Sequence, residues 1–235
     1  MTFDELKNHI WDSANKLRGA VDPASYKDYI LTLLFWKYIS DLSDVERNKI
    51  LEDNSTKDSD KEYIIRKNKY YLPEELHIGY IYDHKEDDNL GTLINDALTN
   101  ISNYTRIYKG TIQDVDFNSS TKLGETYERN KLLKQLLTIF NSRDMKFNKE
   151  NINSDLLGDV YQYLIGLFAA GAGKKGGEFY TPSQVSELLA KLVKPNEHDS
   201  IYDPTCGSGS LLIHAAKQVK GGRVSLFGQE KNSQT

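Results

Sequence analysis

Phe3, Leu6, Ile10, Trp11, Ala14 and Leu17 recur at steps of three and four residues, a spacing that predicts a helix with one apolar face, ended by Arg18-Gly19. Pro23 then opens a longer stretch, ASYKDYILTLLFWKYISDLSDVERNKILE. Its Tyr29 to Ile39 portion is apolar nearly all round, which predicts a central helix buried on several sides. The polar run DNSTKDSD, residues 53–60, reads as a loop. KEYIIRKNKYYLPEEL follows as a helix interrupted before Pro73, because the residue preceding a proline is pushed out of the helical region. The helical spacing returns in NLGTLINDALTNISNY, in NKLLKQLLTIFNSR and in SDLLGDVYQYLIGLFAA. Residues 1–170 are therefore expected to form a mainly α amino-terminal domain.

The pattern changes at GAGKKGGE, residues 171–178, where four glycines and two lysines make helix implausible. A domain boundary is placed there. Beyond it the order is helix (Pro182–Val193), short strand (Ser200–Tyr202), loop, helix (Ser210–Val219) and strand (Val224–Gly228). That order predicts the opening of a parallel α/β sheet over residues 171–235.

Composition narrows the partners. The 235 residues, 38% hydrophobic and 27% charged, suffice for one large or two modest globular domains. A net charge of -4 supplies no global pull towards nucleic acid, so any DNA contact is expected to be local or shared with a partner. Cys206 is the one cysteine, which rules out an internal disulfide and fits a reducing compartment, with cytoplasm the default. The charged, amphipathic start lacks a signal peptide's apolar run, and no segment approaches 18 uninterrupted apolar residues, so no membrane association is expected. His9, His77, His84, His198 and His214 are scattered without the spacing of a zinc site, and no metal is expected.

The candidate chemistry lies in SIYDPTCGSGSLLIHAAKQV, where a strand runs into a glycine-rich turn that opens a helix. Glycines allow a tight turn and close backbone approach, and a helix N-terminus offers free N–H groups to a polar ligand. Gly207-x-Gly209 alone is weak evidence, since a turn that binds nothing matches it as well. Glu230 sharpens it. It stands at the end of the next strand, 21 residues beyond Gly209, where a carboxylate can accept hydrogen bonds from both ribose hydroxyls.

Three ligands compete for such a loop. A nucleoside triphosphate loop requires GxxxxGK[ST], and GAGKKGG has Phe168 in place of its first glycine and Lys175 in place of its Ser or Thr. A dinucleotide normally asks for a third glycine, and Leu212 occupies that position. Asp203, at the strand's carboxyl end, would repel a phosphate and pair with an ammonium group. An adenosine carrying an amino acid meets these conditions, and S-adenosylmethionine is such a molecule. Cys206 as a nucleophile is disfavoured, since no histidine stands near it in the sequence.

GGEFYTP, YDPTCGSGSLL and FGQEKNSQT, in this order and at these distances, resemble the amino-terminal part of the modification subunit of type I restriction-modification enzymes. The helical lead resembles that family's amino-terminal domain in a general way. The resemblance implies a mainly α domain followed by the beginning of a Rossmann-like, S-adenosylmethionine-dependent methyltransferase domain. It places Glu178, Phe179, Tyr180, Thr181, Pro182 and Ser183 on the segment that covers the cofactor's methionine end. Asp203, Gly207, Ser208 and Gly209 fall on the glycine loop, and Glu230 on the ribose-binding acid. Read without the family, Thr181 is a helix N-cap with Pro182 at the first helical position.

The family transfers a methyl group to adenine N6 in duplex DNA at an Asn/Asp-Pro-Pro-aromatic motif, working with a specificity subunit, a restriction subunit and a second modification subunit. The prolines here stand at 23, 73, 182, 195 and 204, with no Pro-Pro pair. The expectation is therefore a fragment with the cofactor side largely present and no catalytic residue for the adenine side. Two other readings stay open: a non-catalytic helical interaction module, and a dinucleotide-dependent oxidoreductase, the latter disfavoured by Leu212 and EFYTP.

Overall fold

Helix α1 (Phe3–Leu17) buries Leu6, Ile10, Ala14 and Leu17, which lie three or four residues apart and so share one face. Trp11 was expected on that face, yet it is 42% exposed. Ser13 is buried instead, its hydroxyl donating to the His9 carbonyl at 2.9 Å. In this computed structural model the described residues are 3–17, 23–104, 115–150, 163, 181–207, 209–221 and 223–231. The chain divides into two compact units, residues 1–160 and 161–235.

Helix α2 (Pro23–Glu52) is the axis of the first unit. Tyr29, Ile30, Leu33, Leu34, Trp36 and Ile39 are all buried, as the all-round apolar pattern predicts. The unit continues with α3 (Asp58–Lys67), a 3-10 turn (Glu74–Leu76), α4 (Ile78–Asp83), α5 (Leu90–Tyr104), α6 (Ser120–Leu123) and α7 (Thr126–Phe140); α1, α3, α4 and α7 pack on α2, and α5 and α6 on α7. Helix α3 begins inside the stretch read as a loop and ends at Lys67, well ahead of Pro73.

The buried polar side chains of α2 hold the irregular segments. Trp36 Nε1–H donates to the Leu76 carbonyl at 2.8 Å, Ser40 Oγ accepts the Ile78 N–H at 3.1 Å, and Ser43 Oγ accepts the Leu72 N–H at 3.0 Å. Those three bonds satisfy backbone groups of residues 72–78 that the short helices leave without an intrahelical partner. Farther along the chain, the Tyr29 hydroxyl donates to the Asp116 carbonyl at 3.0 Å, and its ring meets Phe117 edge-on, centroids 5.1 Å apart. Asp41 Oδ2 accepts the Phe147 N–H at 2.8 Å while Lys37 Nζ lies 2.9 Å from Oδ1, both side chains almost wholly buried.

The second unit holds α8 (Ser183–Val193), β1 (Ser200–Asp203), α9 (Ser210–Lys217) and β2 (Ser225–Gly228). The two strands pair in parallel, Ser200 with Ser225 through Asp203 with Gly228, and α9 is the crossover between them. The described residues thus have the predicted class, a helical domain followed by a parallel α/β opening. Helix α8 packs on α9, and its Ser186 and Ala190 are buried. On the sheet, Tyr202 and Phe227 are register partners 58% and 55% exposed.

One local expectation is corrected. Helix α8 begins at Ser183, not Pro182, and Pro182 is its N-cap with φ -51° and ψ 138°. No side chain caps it, so Thr181 is not the capping residue. The Pro182 carbonyl already accepts the Val185 and Ser186 N–H groups at 2.9 and 3.0 Å, the role an N-cap carbonyl plays.

Candidate functional site

The turn that follows β1 is built by its own short-range bonds. Asp203 Oδ1 accepts the Thr205 N–H at 3.0 Å, and the Cys206 carbonyl accepts the Gly209 N–H at 2.8 Å. Inside that turn Gly207 has φ 53°, and Gly209, the N-cap of α9, has φ 79°. Both lie in the left-handed region where a side chain would cost energy. Among the described residues a Cβ on Gly209 would meet nothing within 4 Å, so its requirement is conformational.

The end of β2 completes the turn. Parallel pairing continues past the strands, with the Gln229 N–H donating to the Asp203 carbonyl and the Cys206 N–H to the Gln229 carbonyl, each at 2.9 Å. Glu230 Oε2 then accepts the Gly207 N–H at 3.0 Å. Asp203, Gly207, Gly209 and Glu230, separated by up to 27 residues in sequence, therefore form one cluster at the carboxyl ends of the two strands. In open parallel sheets that is where ligands bind.

Gly228 was not singled out from the sequence. A Cβ there would lie 2.8 Å from Cys206 Sγ and 3.2 Å from Leu212 Cδ1, so its bare backbone is what lets the loop and α9 close on β2. A glycine at a strand's end is the signal that could have found it. Leu212 stands where a dinucleotide loop has its third glycine; here the close approach is made from the strand side, with Leu212 buried over Gly228. Cys206 wedges against the same point, its thiol free.

Of the other expected site residues, Thr181 and Pro182 stand at the head of α8, which packs on the helix that carries the loop. Ser183 is the first residue of α8, with its side chain outside the described residues. Glu178, Phe179, Tyr180 and Ser208 lie outside them altogether. No group of three or more His, Cys, Asp or Glu side chains suited to a metal ion occurs among the described residues. None of the described helices is long and apolar enough to cross a membrane.

Fold and cluster together define a class: a helical domain joined to a Rossmann-like unit in which a glycine turn meets an acidic residue at the second strand's end. Comparison with known proteins makes it specific. Residues 6–140 match the family described as HsdM N-terminal domain, and residues 152–235 match N-6 DNA Methylase. The chain belongs to the methylase subunits of type I restriction-modification systems.

The type I restriction enzyme MpnII methylase subunit of Mycoplasma pneumoniae is 34% identical over 98% of this chain and 48% of its own length. The MjaIX methylase subunit of Methanocaldococcus jannaschii is 25% identical over 97% of this chain and 43% of its own. A crystal structure of a type I restriction-modification methyltransferase subunit from Streptococcus thermophilus superposes with TM-score 0.78 at 27% identity, covering 99% of this chain and 53% of that one. The chain thus spans about half the length of these relatives.

Proposed function

We propose that this chain acts in the transfer of a methyl group from S-adenosylmethionine to adenine N6 in duplex DNA, with the cofactor held by residues 171–235 and the helical domain, residues 1–170, serving DNA and subunit contacts. The observation that carries this reading is the cluster in which Glu230 meets the glycine turn, within a chain of the N-6 DNA Methylase family. The cofactor fits the residues present. Glu230 would accept from the ribose hydroxyls, the turn at Gly207 and Gly209 would present its backbone to the sugar, and Asp203, at the end of β1, carries a charge that suits an ammonium group and would repel phosphate. By the family resemblance Glu178, Phe179, Tyr180, Thr181, Pro182 and Ser183 are the residues proposed to cover the methionine end, and Ser208 belongs with the glycine loop.

When bound, S-adenosylmethionine supplies a sulfonium methyl group open to in-line displacement. The residues of this chain bind and orient; they position one reactant so that the step becomes effectively unimolecular. The adenine is reached by flipping it out of the duplex. Target sequence is read by a separate specificity subunit, with a restriction subunit and a second modification subunit in the same cytoplasmic assembly. This division suits a chain of net charge -4.

Cofactor binding is the property to test, since no Pro-Pro-aromatic motif occurs in residues 1–235. Calorimetric titration of the 235-residue chain with S-adenosylmethionine is expected to give saturable heat, and titration with NADH none. No heat with S-adenosylmethionine at high micromolar concentration would leave the helical interaction module as the better reading; heat with NADH alone would favour the dinucleotide enzyme.

A further inference from the structure

The three bonds that join the glycine turn to β2 are of two kinds. Those made by Gln229 run between backbone groups and extend the strand pairing, so they form with any side chains present. The third does not. At Gly207 the backbone has φ 53°, and its N–H is taken by the side chain of Glu230 at 3.0 Å. A side chain, rather than strand pairing, thus joins the turn's first glycine to the end of β2.

We infer that Glu230 is a positioning residue for the glycine turn in addition to being the acceptor for the ribose. This rests on the reading of the turn as the S-adenosylmethionine site. One oxygen, Oε2, is committed to the Gly207 N–H, which sets the orientation of the carboxylate and ties the ribose end of the pocket to the loop. Gly228 supports the same arrangement, because a side chain there would push Cys206, and with it Gly207, away from Glu230.

A role confined to the ribose and a role in the turn separate on a ligand without the diol. The test is calorimetry on the full chain with the 2′,3′-dideoxy analogue of S-adenosylhomocysteine, together with the amide resonance of Gly207 in the chain without added ligand. Glu230→Ala is expected to weaken binding of the dideoxy ligand about fivefold to tenfold, the worth of one hydrogen bond. The Gly207 amide proton is expected to move upfield in the same variant. Glu230→Gln, whose amide oxygen still accepts, is expected to bind within about twofold of the unsubstituted chain and to leave the Gly207 resonance close to its original position. Equal affinity of Glu230→Ala and the unsubstituted chain for the dideoxy ligand, or a Gly207 amide that does not move, would overturn the inference. Should no adenosine ligand bind, the cofactor reading fails, and the Gly207 resonance still decides whether Glu230 holds the turn.

Discussion

Asp41 and Phe147, 106 residues apart, are joined by a 2.8 Å hydrogen bond from the Phe147 N–H to a carboxylate whose other oxygen faces Lys37 at 2.9 Å. The central helix and the last described stretch of the helical unit therefore meet at a buried carboxylate that is itself ion-paired within the helix. Such pairs contribute little net stability, but losing one partner strands the other charge. Burial pushes the Asp41 carboxyl above its ordinary value of 3.8, with Lys37 pulling the other way.

Lys37→Met removes that pull. At neutral pH this variant is expected to lose about 3–5 kcal/mol of unfolding free energy, measured by urea titration. A carboxyl raised in the folded state stabilises below its ordinary value and loses that contribution as pH rises through the raised value. The penalty should therefore shrink towards acid pH. Lys37→Met combined with Asp41→Asn, which carries no charge and still accepts the Phe147 N–H, should recover most of the loss.

Tyr29 gives the opposite end of the pH scale. Burial first, then the nearby carboxylates Asp116 and Asp28, push its hydroxyl from 10.0 up to about 12. The protonated form is the one the fold prefers, so its contribution is complete below pH 10 and is lost between there and about 12. Tyr29→Phe is expected to abolish that alkaline step. The same variant should cost about 1 kcal/mol at neutral pH for the lost bond to the Asp116 carbonyl.

Gly228→Ala would place a methyl group against Cys206 and Leu212. Overpacking of this kind costs about 1–3 kcal/mol, and the same displacement of the turn should weaken binding of S-adenosylmethionine in calorimetry. Cys206→Ala in the same chain removes the closest atom and should restore much of both. Absence of rescue would mean that Leu212 is the obstructing neighbour.

The sheet is the thinly covered part of the second unit. Tyr202 and Phe227 face outward, and Val185, Leu188, Leu189, Leu192 and Val193 of α8 are exposed. Few apolar contacts mean low local opening energies. Hydrogen exchange at residues 200–203 and 225–228 is therefore expected to outpace that of α2 residues 29–43 in the same sample. Equal protection of the two regions would contradict this.

Much of this was legible in the sequence. Three- and four-residue spacing located α1, α2, α5 and α7, and the strand, glycine turn, helix and strand order located Asp203, Gly207, Gly209 and Glu230. The element readings succeed because they rest on local periodicity and on turn chemistry. The hydrogen-bonding role of Ser40, Asp41 and Ser43 was not legible, since their partners lie 29 to 106 residues away and no local pattern encodes them. Helix α4, six residues long, is too short to show a period. Gly228 carried a readable signal that only the position of Cys206 made meaningful.

We propose that the turn after β1 and the end of β2 form one pocket for an adenosine bearing an amino acid. Chemical-shift mapping of the full chain on titration with S-adenosylhomocysteine tests it most directly. Saturable shifts of the Gly207, Gly209 and Glu230 amides, extending to Thr181, are the predicted result. Shifts confined to residues 3–150, or none at a ligand concentration that saturates a related methyltransferase, would contradict it.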